Sequence, residues 1–265
     1  MLSANFYLQY DGRVTFNFED ALKWWEPNPA VDLLNQKMWK LYGKTIHVNL
    51  KNSLSERIQE ALDVFGSDKS KAHRYDVVYA RIFEILGDVK SILEIGIGSQ
   101  NLQIQSSMPS EYRTGGSLLA WQQIYPNAKI YGADIDEETL ISEGSISSYY
   151  VDQLDRNSVE NLARVIHLDF GAEIDLIIDD GLHAPSANLS TLDALFSLLS
   201  SQGIYIVEDI RPNFRGIWCG AIASGITPGH GQVFLLDGPS ISEDSCVAIF
   251  SSEISHIEAL KRIAL

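Results

Sequence analysis

The stretch Ser91-Ile92-Leu93-Glu94-Ile95-Gly96-Ile97-Gly98 decides the fold of this chain. A short apolar run closed by glycine is typical of a strand that is buried on both faces of a parallel sheet. Apolar residues at helical spacing precede it between Asp76 and Gly87, which predicts a helix there. Two glycines let the backbone turn sharply and approach a ligand closely. We therefore expect a buried strand followed by a ligand-binding turn, the alternative being a tight strand–helix turn without a ligand.

The alternation of strand and helix patterns continues towards the C-terminus. Further short apolar runs predict strands at 129–134, 147–151, 174–179, 203–207, 232–236 and 246–250, with helices at 118–124, 158–166 and 188–199. Alternating strands and helices favour a largely parallel sheet with helices on both faces. The last two strands flank Gly238-Pro239, which predicts an antiparallel pair. The predicted fold is a Rossmann-like, doubly wound α/β fold with a mostly parallel seven-stranded sheet and a C-terminal antiparallel hairpin.

Residues 1–60 lack this alternation. They contain Trp24, Trp25 and Trp39 and a Pro27-Asn28-Pro29 break, and a helix-like segment spans Ser53 to Phe65. The aromatic density indicates a packed segment, suited to an interface. We predict two units: an N-terminal, mainly helical extension over 1–60 that serves as a cap or oligomerisation arm, and a catalytic domain over 61–265.

Composition excludes several classes of partner. The formal net charge is −15, and no cluster of lysine or arginine interrupts the acidic average. Nucleic acids and anionic membrane surfaces are therefore not expected partners, because their binding needs a basic surface. Two cysteines do not form a disulfide framework or a zinc site. Residues 1–5 lack the features of a secretion signal, and no apolar run has the length of a membrane span, so we expect a cytoplasmic protein.

Acidic residues follow nearly every predicted strand. Glu94 ends the first strand, Asp134 ends the second, and other acids follow the strands at 174–179 and 203–207. Ligands of doubly wound sheets bind beyond the carboxyl ends of the strands. A carboxylate at the position of Asp134 can accept hydrogen bonds from ribose hydroxyls. Nicotinamide-dependent enzymes use the same contact, so this acid alone does not identify the cofactor.

A nicotinamide-dependent oxidoreductase is nevertheless disfavoured. Asn101 stands where a dinucleotide fingerprint has its third glycine. In addition, 36 positions separate Gly98 from Asp134, against about 20 in a compact dinucleotide-binding unit. The intervening segment from Gln100 to Gly115 is polar and is predicted to be a loop over the pocket. The chain also has no clear Tyr-x-x-x-Lys catalytic pair.

An ordered series of motifs runs from about residue 66 to residue 210. It comprises Gly66-Ser67-Asp68-Lys69-Ser70, His73, Tyr75, Tyr79, Glu94–Gly98, Gly116-Ser117-Leu118 with Trp121, Tyr125–Ala128, Gly132–Asp136, Asp152-Gln153 with Asp155, Ile178-Asp179-Asp180-Gly181-Leu182-His183 and Val207-Glu208-Asp209. This series resembles the metal-dependent sugar O-methyltransferases of macrolide and related natural-product pathways, the mycinamicin and rhamnosyl O-methyltransferase group. The Asp-Gly-x-His motif and the Glu-Asp pair are its most specific parts.

The resemblance implies a class I methyltransferase that uses S-adenosylmethionine and Mg²⁺ (or Mn²⁺). It implies that the metal ion is held by Asp180, Glu208 and Asp209, and that His183 is the general base beside Asp180 in the catalytic site. The cofactor-binding residues that it implies are Lys69, Glu94, Gly96, Gly98, Asp134, Asp136, Asp152, Gln153 and Asp179. Two positions depart from the family pattern: Leu182 replaces a small polar residue, and the glycine turn continues as Ser99-Gln100.

The chemistry of these residue types is compatible with the implied site. Neighbouring strands lie about 4.8 Å apart, so acids at adjacent strand ends can share one ion. Carboxylate ligands favour Mg²⁺, Mn²⁺ or Ca²⁺ over zinc. A hydroxyl bound to such an ion loses its proton more readily, and an adjacent imidazole can accept that proton.

We therefore expect methyl transfer from S-adenosylmethionine to a free hydroxyl of a small molecule, such as a sugar of a natural product. One alternative is a metal-independent methyltransferase that acts on nitrogen or on a carboxyl group. Another is a non-catalytic, methyltransferase-like assembly module whose interface is the Trp-rich arm. The aromatic residues between Trp24 and Tyr42 also suit a homo-oligomer.

Overall fold

The computed structural model describes residues 29–104, 107–109, 112–171 and 173–264, with the backbone alone at 29–31 and 170. Trp24, Trp25 and the start of the proline break lie outside these residues. Helices are α1 (Pro29–Tyr42), α2 (Ser53–Phe65), α3 (Asp76–Leu86), α4 (Gly116–Ile124), α5 (Arg156–Phe170), α6 (Pro185–Leu195), α7 (Arg215–Ala223) and α8 (Ile254–Lys261). None of the helices in the described ranges is both long and apolar enough to cross a membrane.

The strands form one mixed sheet. They are β1 (Lys44–His47), β2 (Ser91–Ile95), β3 (Lys129–Asp134), β4 (Ser142–Glu143), β5 (Ile146–Tyr150), β6 (Ile174–Asp179), β7 (Leu199–Val207), β8 (His230–Asp237) and β9 (Cys246–Ser251). Their order is β1-β8-β9-β7-β6-β2-β3-β5-β4. Strand β9 runs antiparallel to both of its neighbours, β7 and β8, and β4 runs antiparallel to β5. All other pairs are parallel.

The predicted fold class is confirmed, including the C-terminal antiparallel pair. The sheet has nine strands in the described part of the chain instead of seven, because two edge strands carry little sequence signal. Strand β1 lies inside the segment predicted to be mainly helical, and it extends the sheet by pairing with β8. The predicted boundary at residue 60 falls within α2. The division into two units stays a prediction.

Helices cover both faces of the sheet. Along β7, Ile204 and Ile206 point to one apolar cluster, and Tyr205 and Val207 point to the other. This alternation follows from the two-residue period of a strand. The first cluster includes buried side chains of α2, α3, α4 and α8, and the second includes those of α5, α6 and α7. Trp218 and Phe214 are buried in the second cluster.

The topology places a crevice at the carboxyl ends of β2 and β6. From β2 the chain proceeds outwards through β3 and β5, then returns to the opposite side of β2 with β6. Such a reversal of direction opens a crevice beyond the strand ends, where doubly wound folds bind ligands. The residues following β2, β3, β6 and β7 consequently face a common space.

Helix α1 packs closely on α7. The amide of Asn35 accepts a hydrogen bond from Gly216 N at 2.6 Å and donates one to Pro212 O at 2.9 Å. A Cβ atom on Gly216 would lie 2.0 Å from the carbonyl oxygen of Asn35. The close approach of the two helices therefore requires glycine at position 216.

We expect Gly216→Ala to lower the free energy of unfolding by about 1–3 kcal/mol, the usual cost of overpacking. Gly220→Ala on the same helix is the matched control, since its Cβ would meet Met38 at an ordinary 3.5 Å. Alanine at that position favours the helix. Urea denaturation of the two variants measures the difference. Equal stability of both would contradict the close packing of α1 on α7.

Candidate active site

A cleft of about 520 Å³, including space open to solvent, lies beyond the carboxyl ends of the central strands. Its lining includes the glycine turn after β2, the end of β3 and the residues after β6 and β7. The cleft therefore lies where the strand order reverses.

The turn after β2 is shaped by Gly96 and Gly98. Both residues have left-handed backbone angles, φ +85° and +86°, which glycine adopts at little cost. A Cβ on Gly96 would lie 2.1 Å from the carbonyl oxygen of Asp180, and one on Gly98 would lie 2.2 Å from the ring of Tyr112. Gly96 thus lets the turn approach the loop after β6, Gly98 lets it approach Tyr112, and both glycines line the cleft.

The described part of the segment from Gln100 to Gly115 contains no helix or strand, and it lies along the cleft. Met108 and Tyr112 line the cleft wall. Met108 N donates to Ser99 O at 2.6 Å, and Thr114 Oγ1 donates to Gly98 O at 2.8 Å. The segment is thereby attached to the glycine turn, as expected for a loop over the pocket.

The two acids after β3 have different surroundings. Asp134 lines the cleft and accepts hydrogen bonds from Ile97 N at 2.9 Å and Asp136 N at 3.0 Å. Burial raises the pKa of Asp134, against the lowering effect of these backbone donors. Asp136 instead accepts from Ser99 Oγ and from Glu138 N, so its carboxylate stabilises the turn.

Gln153 and Asp179 form a buried network behind the cleft. Gln153 Nε2 donates to Asp179 Oδ1 at 2.8 Å and to Thr191 Oγ1 at 3.2 Å, and Gln153 Oε1 accepts from Leu182 N at 2.8 Å. Tyr205 also donates to Asp179, at 3.0 Å. Burial raises the pKa of Asp179 to about 6. These contacts stabilise the loop after β6. Asp152 has a separate role, because its side chain accepts a hydrogen bond from Leu154 N and caps the neighbouring turn.

Glu94 is buried at the end of β2 and is held by neutral donors. Ser117 Oγ donates to Oε1 at 2.7 Å, and Trp121 Nε1 donates to Oε2 at 2.6 Å. Burial raises the pKa of Glu94, while the ammonium of Lys69, 3.4 Å from Oε1, lowers it. Glu94 therefore joins α4 to the sheet beneath the cleft.

Lys69 lies among three carboxylates. Its ammonium contacts Asp180 Oδ2 and Glu208 Oε2, with Glu94 as the third neighbour. The side chain is 2% exposed. Burial alone lowers the pKa of Lys69, but Asp180, Glu208 and Glu94 raise it, and the pKa lies well above its usual value. Lys69 is thus a buried cation at the edge of the cleft.

Asp180, His183 and Asp209 come together on the cleft side. Potential ligand atoms of these three residues all lie within 4.8 Å of one another. His183 Nε2 lies 3.9 Å from Asp180 Oδ1, and His183 Nδ1 is buried with no hydrogen-bond partner among the described residues. Both His183 and Asp209 have left-handed backbone angles, φ +56° and +54°. Two carboxylates and one imidazole are a donor set that can hold a metal ion, and the two carboxylates are the donors that hard divalent ions prefer.

Glu208 is turned towards the interior. Its Oε1 accepts from the hydroxyl of Tyr79 at 2.5 Å, and its Oε2 contacts Lys69. Tyr75 donates in the same way to Asp209 Oδ1, at 2.7 Å. The two tyrosine hydroxyls fix the orientation of both acids of the Glu-Asp pair.

The predicted site residues therefore fall into two groups. Those that line the cleft are Lys69, Gly96, Gly98, Asp134, Asp180, His183, Glu208 and Asp209. Those that support its walls are Glu94, Asp136, Asp152, Gln153 and Asp179. The roles of all of them as cofactor or metal ligands stay predictions.

Sequence reasoning assigned no role to four donors that hold the acids, namely Tyr75, Tyr79, Ser117 and Trp121. All four belong to the series of motifs quoted above. Their presence in that series was the available signal, but pattern alone did not show which carboxylate each one contacts.

The architecture is that of the class I methyltransferase fold. A solved structure of the mycinamicin-pathway methyltransferase MycE, in complex with Mg and SAH, aligns with a TM-score of 0.54 over 74% of this chain and 54% of that chain, at 22% identity. This likeness establishes the fold. No family model matches the chain.

Curated relatives confirm the resemblance in sequence. The chain is 30% identical over 157 residues to the 8-demethyl-8-alpha-L-rhamnosyl tetracenomycin-C 2'-O-methyltransferase of Streptomyces olivaceus, covering 59% of this chain and 38% of that protein. It is 32% identical over 129 residues to the mycinamicin VI 2''-O-methyltransferase of Micromonospora griseorubida, covering 47% of this chain and 29% of that protein. The chain thus spans about a third of the length of these relatives.

We expect Gln153→Ala to lower the free energy of unfolding by about 1–3 kcal/mol, because the buried Asp179 carboxylate would lose a donor. Gln122→Ala, which removes a single partly buried hydrogen bond to Ser145, should cost less. Chemical denaturation measures both. Unchanged stability of Gln153→Ala together with weaker S-adenosylmethionine binding would instead favour the cofactor contact that the resemblance implies for Gln153.

Proposed function

We propose that this chain is an S-adenosylmethionine-dependent and Mg²⁺-dependent O-methyltransferase that acts on a hydroxyl of a small molecule, a sugar of a natural product. The observation that carries the proposal is the single cleft that joins the glycine turn, Asp134 and the Asp180–His183–Asp209 group. The proposed cofactor site and the proposed site for proton removal would thereby be adjacent, as methyl transfer to a hydroxyl requires.

The cofactor part of the proposal rests on the turn after β2. Gly96 and Gly98 present backbone to the cleft where any Cβ would collide with neighbouring atoms. Asp134 would accept hydrogen bonds from the ribose hydroxyls. Asp68 and Lys69, which also line the cleft, would lie near the methionine end of the cofactor.

The residues present also fit a divalent ion. Asp180 and Asp209 offer hard oxygen donors, and His183 Nδ1 has no other partner among the described residues. Carboxylate ligands suit Mg²⁺ or Mn²⁺. Asp180, Glu208 and Asp209 would hold the ion, as the resemblance implies, and Glu208 also contacts Lys69 and Tyr79.

When bound, S-adenosylmethionine would supply the methyl group, and the ion would lower the pKa of the acceptor hydroxyl. His183 would accept the hydroxyl proton, since its imidazole lies beside Asp180 at the cleft surface. Asp180 would orient that imidazole and stabilise its protonated form. The loop that carries Met108 and Tyr112 would restrict the entry of water.

The acceptor class is proposed from the relatives. The proteins matched in sequence carry names of O-methyltransferases acting on rhamnosyl tetracenomycin, mycinamicin VI, demethylmacrocin and an olivosyl oleandolide. Because this chain spans only about a third of the rhamnosyl enzyme and less of the others, its own activity and acceptor need direct measurement.

Calorimetric titration with S-adenosylmethionine tests the cofactor proposal. We expect micromolar binding by the wild type and at least about tenfold weaker binding by Asp134→Asn, because a hydrogen bond to a charged group is lost. Asp155→Asn, which alters the N-cap of α5 away from the cleft, should bind like the wild type. A folded wild type that gives no binding heat would favour the non-catalytic module.

Turnover assays with glycosylated natural products test the base. His183→Gln should lower kcat by a factor of about 100 or more, the usual contribution of a general base. Its affinity for S-adenosylmethionine should stay within about threefold of the wild type. His256→Gln, far along the chain in α8, is the control. Activity that survives both His183→Gln and EDTA would favour the metal-independent methyltransferase.

A homo-oligomer is proposed from the aromatic N-terminal segment and from α1. Leu33, Leu34 and Leu41 of α1 are 54%, 59% and 70% exposed. Exposed apolar side chains on one helix suit an interface between copies. Mass measurement in solution tests this, and a strict monomer would reject it.

A further inference from the structure

The hydroxyl of Tyr75 makes two hydrogen bonds to a single residue, Asp209. It donates to Asp209 Oδ1 at 2.7 Å and accepts from Asp209 N at 3.1 Å. A tyrosine hydroxyl has one proton to donate and an oxygen that accepts, so both bonds form together. Asp244 O lies further away, at 3.5 Å, and a carboxylate is the stronger acceptor. One hydroxyl thus contacts both the side chain and the backbone of Asp209.

We propose that Tyr75 is a positioning residue of the metal site, whose hydroxyl holds Asp209 in the orientation from which its carboxylate binds the ion. Tyr75 acts through Asp209 and is not itself a ligand. This inference rests on the metal role in the proposed function, and it keeps Asp180, Glu208 and Asp209 as the ligands of the ion.

The bond from Asp209 N stabilises an uncommon backbone conformation. Asp209 has a φ of +54°, in the left-handed region that residues other than glycine adopt only rarely. It lies two residues beyond the end of β7, and its N–H group finds its acceptor on a side chain 134 positions earlier in the chain. Tyr75 therefore holds this turn from outside, and the turn determines where the carboxylate points.

The bond to Oδ1 restricts rotation of the same carboxylate. The Asp209 side chain is 18% exposed and lines the cleft. Potential ligand atoms of Asp209 and Asp180 lie within 4.8 Å of each other. Among the described residues, no hydrogen bond engages Asp209 Oδ2. A donor on Oδ1 therefore keeps the carboxylate beside Asp180 and leaves its second oxygen for an ion.

Tyr75 is itself held firmly. Its side chain is buried, and its ring stacks on that of His73, with centroids 5.1 Å apart and an interplanar angle of 18°. Tyr75 N donates to Lys69 O at 2.9 Å, and Tyr75 O accepts from Tyr79 N at 2.8 Å where α3 begins. Because both the ring and the backbone are fixed, the hydroxyl has a defined position relative to Asp209.

Loss of this hydroxyl should weaken metal binding selectively. Asp209 N and Oδ1 would lose their shared partner, and the carboxylate would be free to rotate. Hydrogen-bond partners behind a metal ligand typically contribute about 10–100-fold to metal affinity. The cofactor side of the cleft should be unaffected, since Asp134 is held by Ile97 N and Asp136 N instead.

The test is calorimetric titration with Mn²⁺, which favours the same hard ligands as Mg²⁺, without S-adenosylmethionine. Tyr75→Phe removes only the hydroxyl oxygen. Tyr131→Phe is the matched control, because Tyr131 is also buried and donates to an aspartate, Asp169 Oδ2 in α5, at 2.9 Å. Asp209→Asn keeps a side chain that tolerates the left-handed backbone, and it completes a double-mutant cycle with Tyr75→Phe.

We expect Tyr75→Phe to bind Mn²⁺ about 10–100-fold more weakly than the wild type, and Tyr131→Phe to bind within about threefold. The affinity of Tyr75→Phe for S-adenosylmethionine should stay within about threefold of the wild type. Disruption of the whole cleft would weaken both ligands. In the Asp209→Asn background, Tyr75→Phe should change Mn²⁺ affinity by less than about threefold, because its effect passes through Asp209.

Mn²⁺ binding by Tyr75→Phe within about threefold of the wild type overturns the inference. An equal loss in Tyr131→Phe, or an undiminished effect of Tyr75→Phe in the Asp209→Asn background, overturns it as well. If Asp209→Asn binds Mn²⁺ too weakly for the cycle, the comparison of Tyr75→Phe with Tyr131→Phe decides, together with their affinities for S-adenosylmethionine.

The outcomes separate this inference from the proposed function. A wild type that binds Mn²⁺ but not S-adenosylmethionine would reject the proposed methyltransferase and would leave the Mn²⁺ comparison intact. A wild type that binds both, with Mn²⁺ affinity unchanged in Tyr75→Phe, would reject the role of Tyr75 alone. Absence of Mn²⁺ binding in the wild type would reject the metal role, and this inference with it.

Discussion

Three buried charged side chains and the partly buried Asp180 meet where the central strands end, and each comes from a different part of the chain. Lys69 precedes α3, Glu94 ends β2, Asp180 follows β6, and Glu208 follows β7. Loss of one partner from a buried ionic group typically costs about 3–5 kcal/mol, because a charge is left without compensation. These ion pairs therefore stabilise the relative positions of the strand ends. Because the strand ends border the cleft, the ion pairs also stabilise its shape.

The central fold was predictable because its strands are buried on both faces. A run such as Ile174–Asp179 is apolar except for Asp175 and ends at an acid, so its boundaries are visible in sequence. The edge strands carry no such signal. Strand β1 reads Lys-Thr-Ile-His with one buried residue, and β4 has two exposed residues. Their formation depends on the hydrogen-bonding edges that β8 and β5 provide.

The positions of the acids were predictable, but their partners were not. Strand ends of a parallel sheet converge, which places Asp134 and Asp180 at one cleft whatever they contact. The partners of Glu94 are Ser117 and Trp121, 23 and 27 positions further along the chain. Such pairings depend on how α4 packs on the sheet. The same limit applies to Gln153, which sequence reasoning assigned to the cofactor and which contacts Asp179.

The left-handed backbones of His183 and Asp209 restrict what these two positions tolerate. Away from glycine, this conformation is adopted most readily by asparagine, aspartate and histidine, and it is costly for branched side chains. A replacement such as valine would distort the backbone of the loop in addition to removing the functional group. Asparagine preserves the turn at both positions while it changes the chemistry. Related proteins that lack the activity but keep this loop geometry would therefore carry asparagine or glycine at these two positions. The backbone conformation of the loop would be retained even where the catalytic groups are lost.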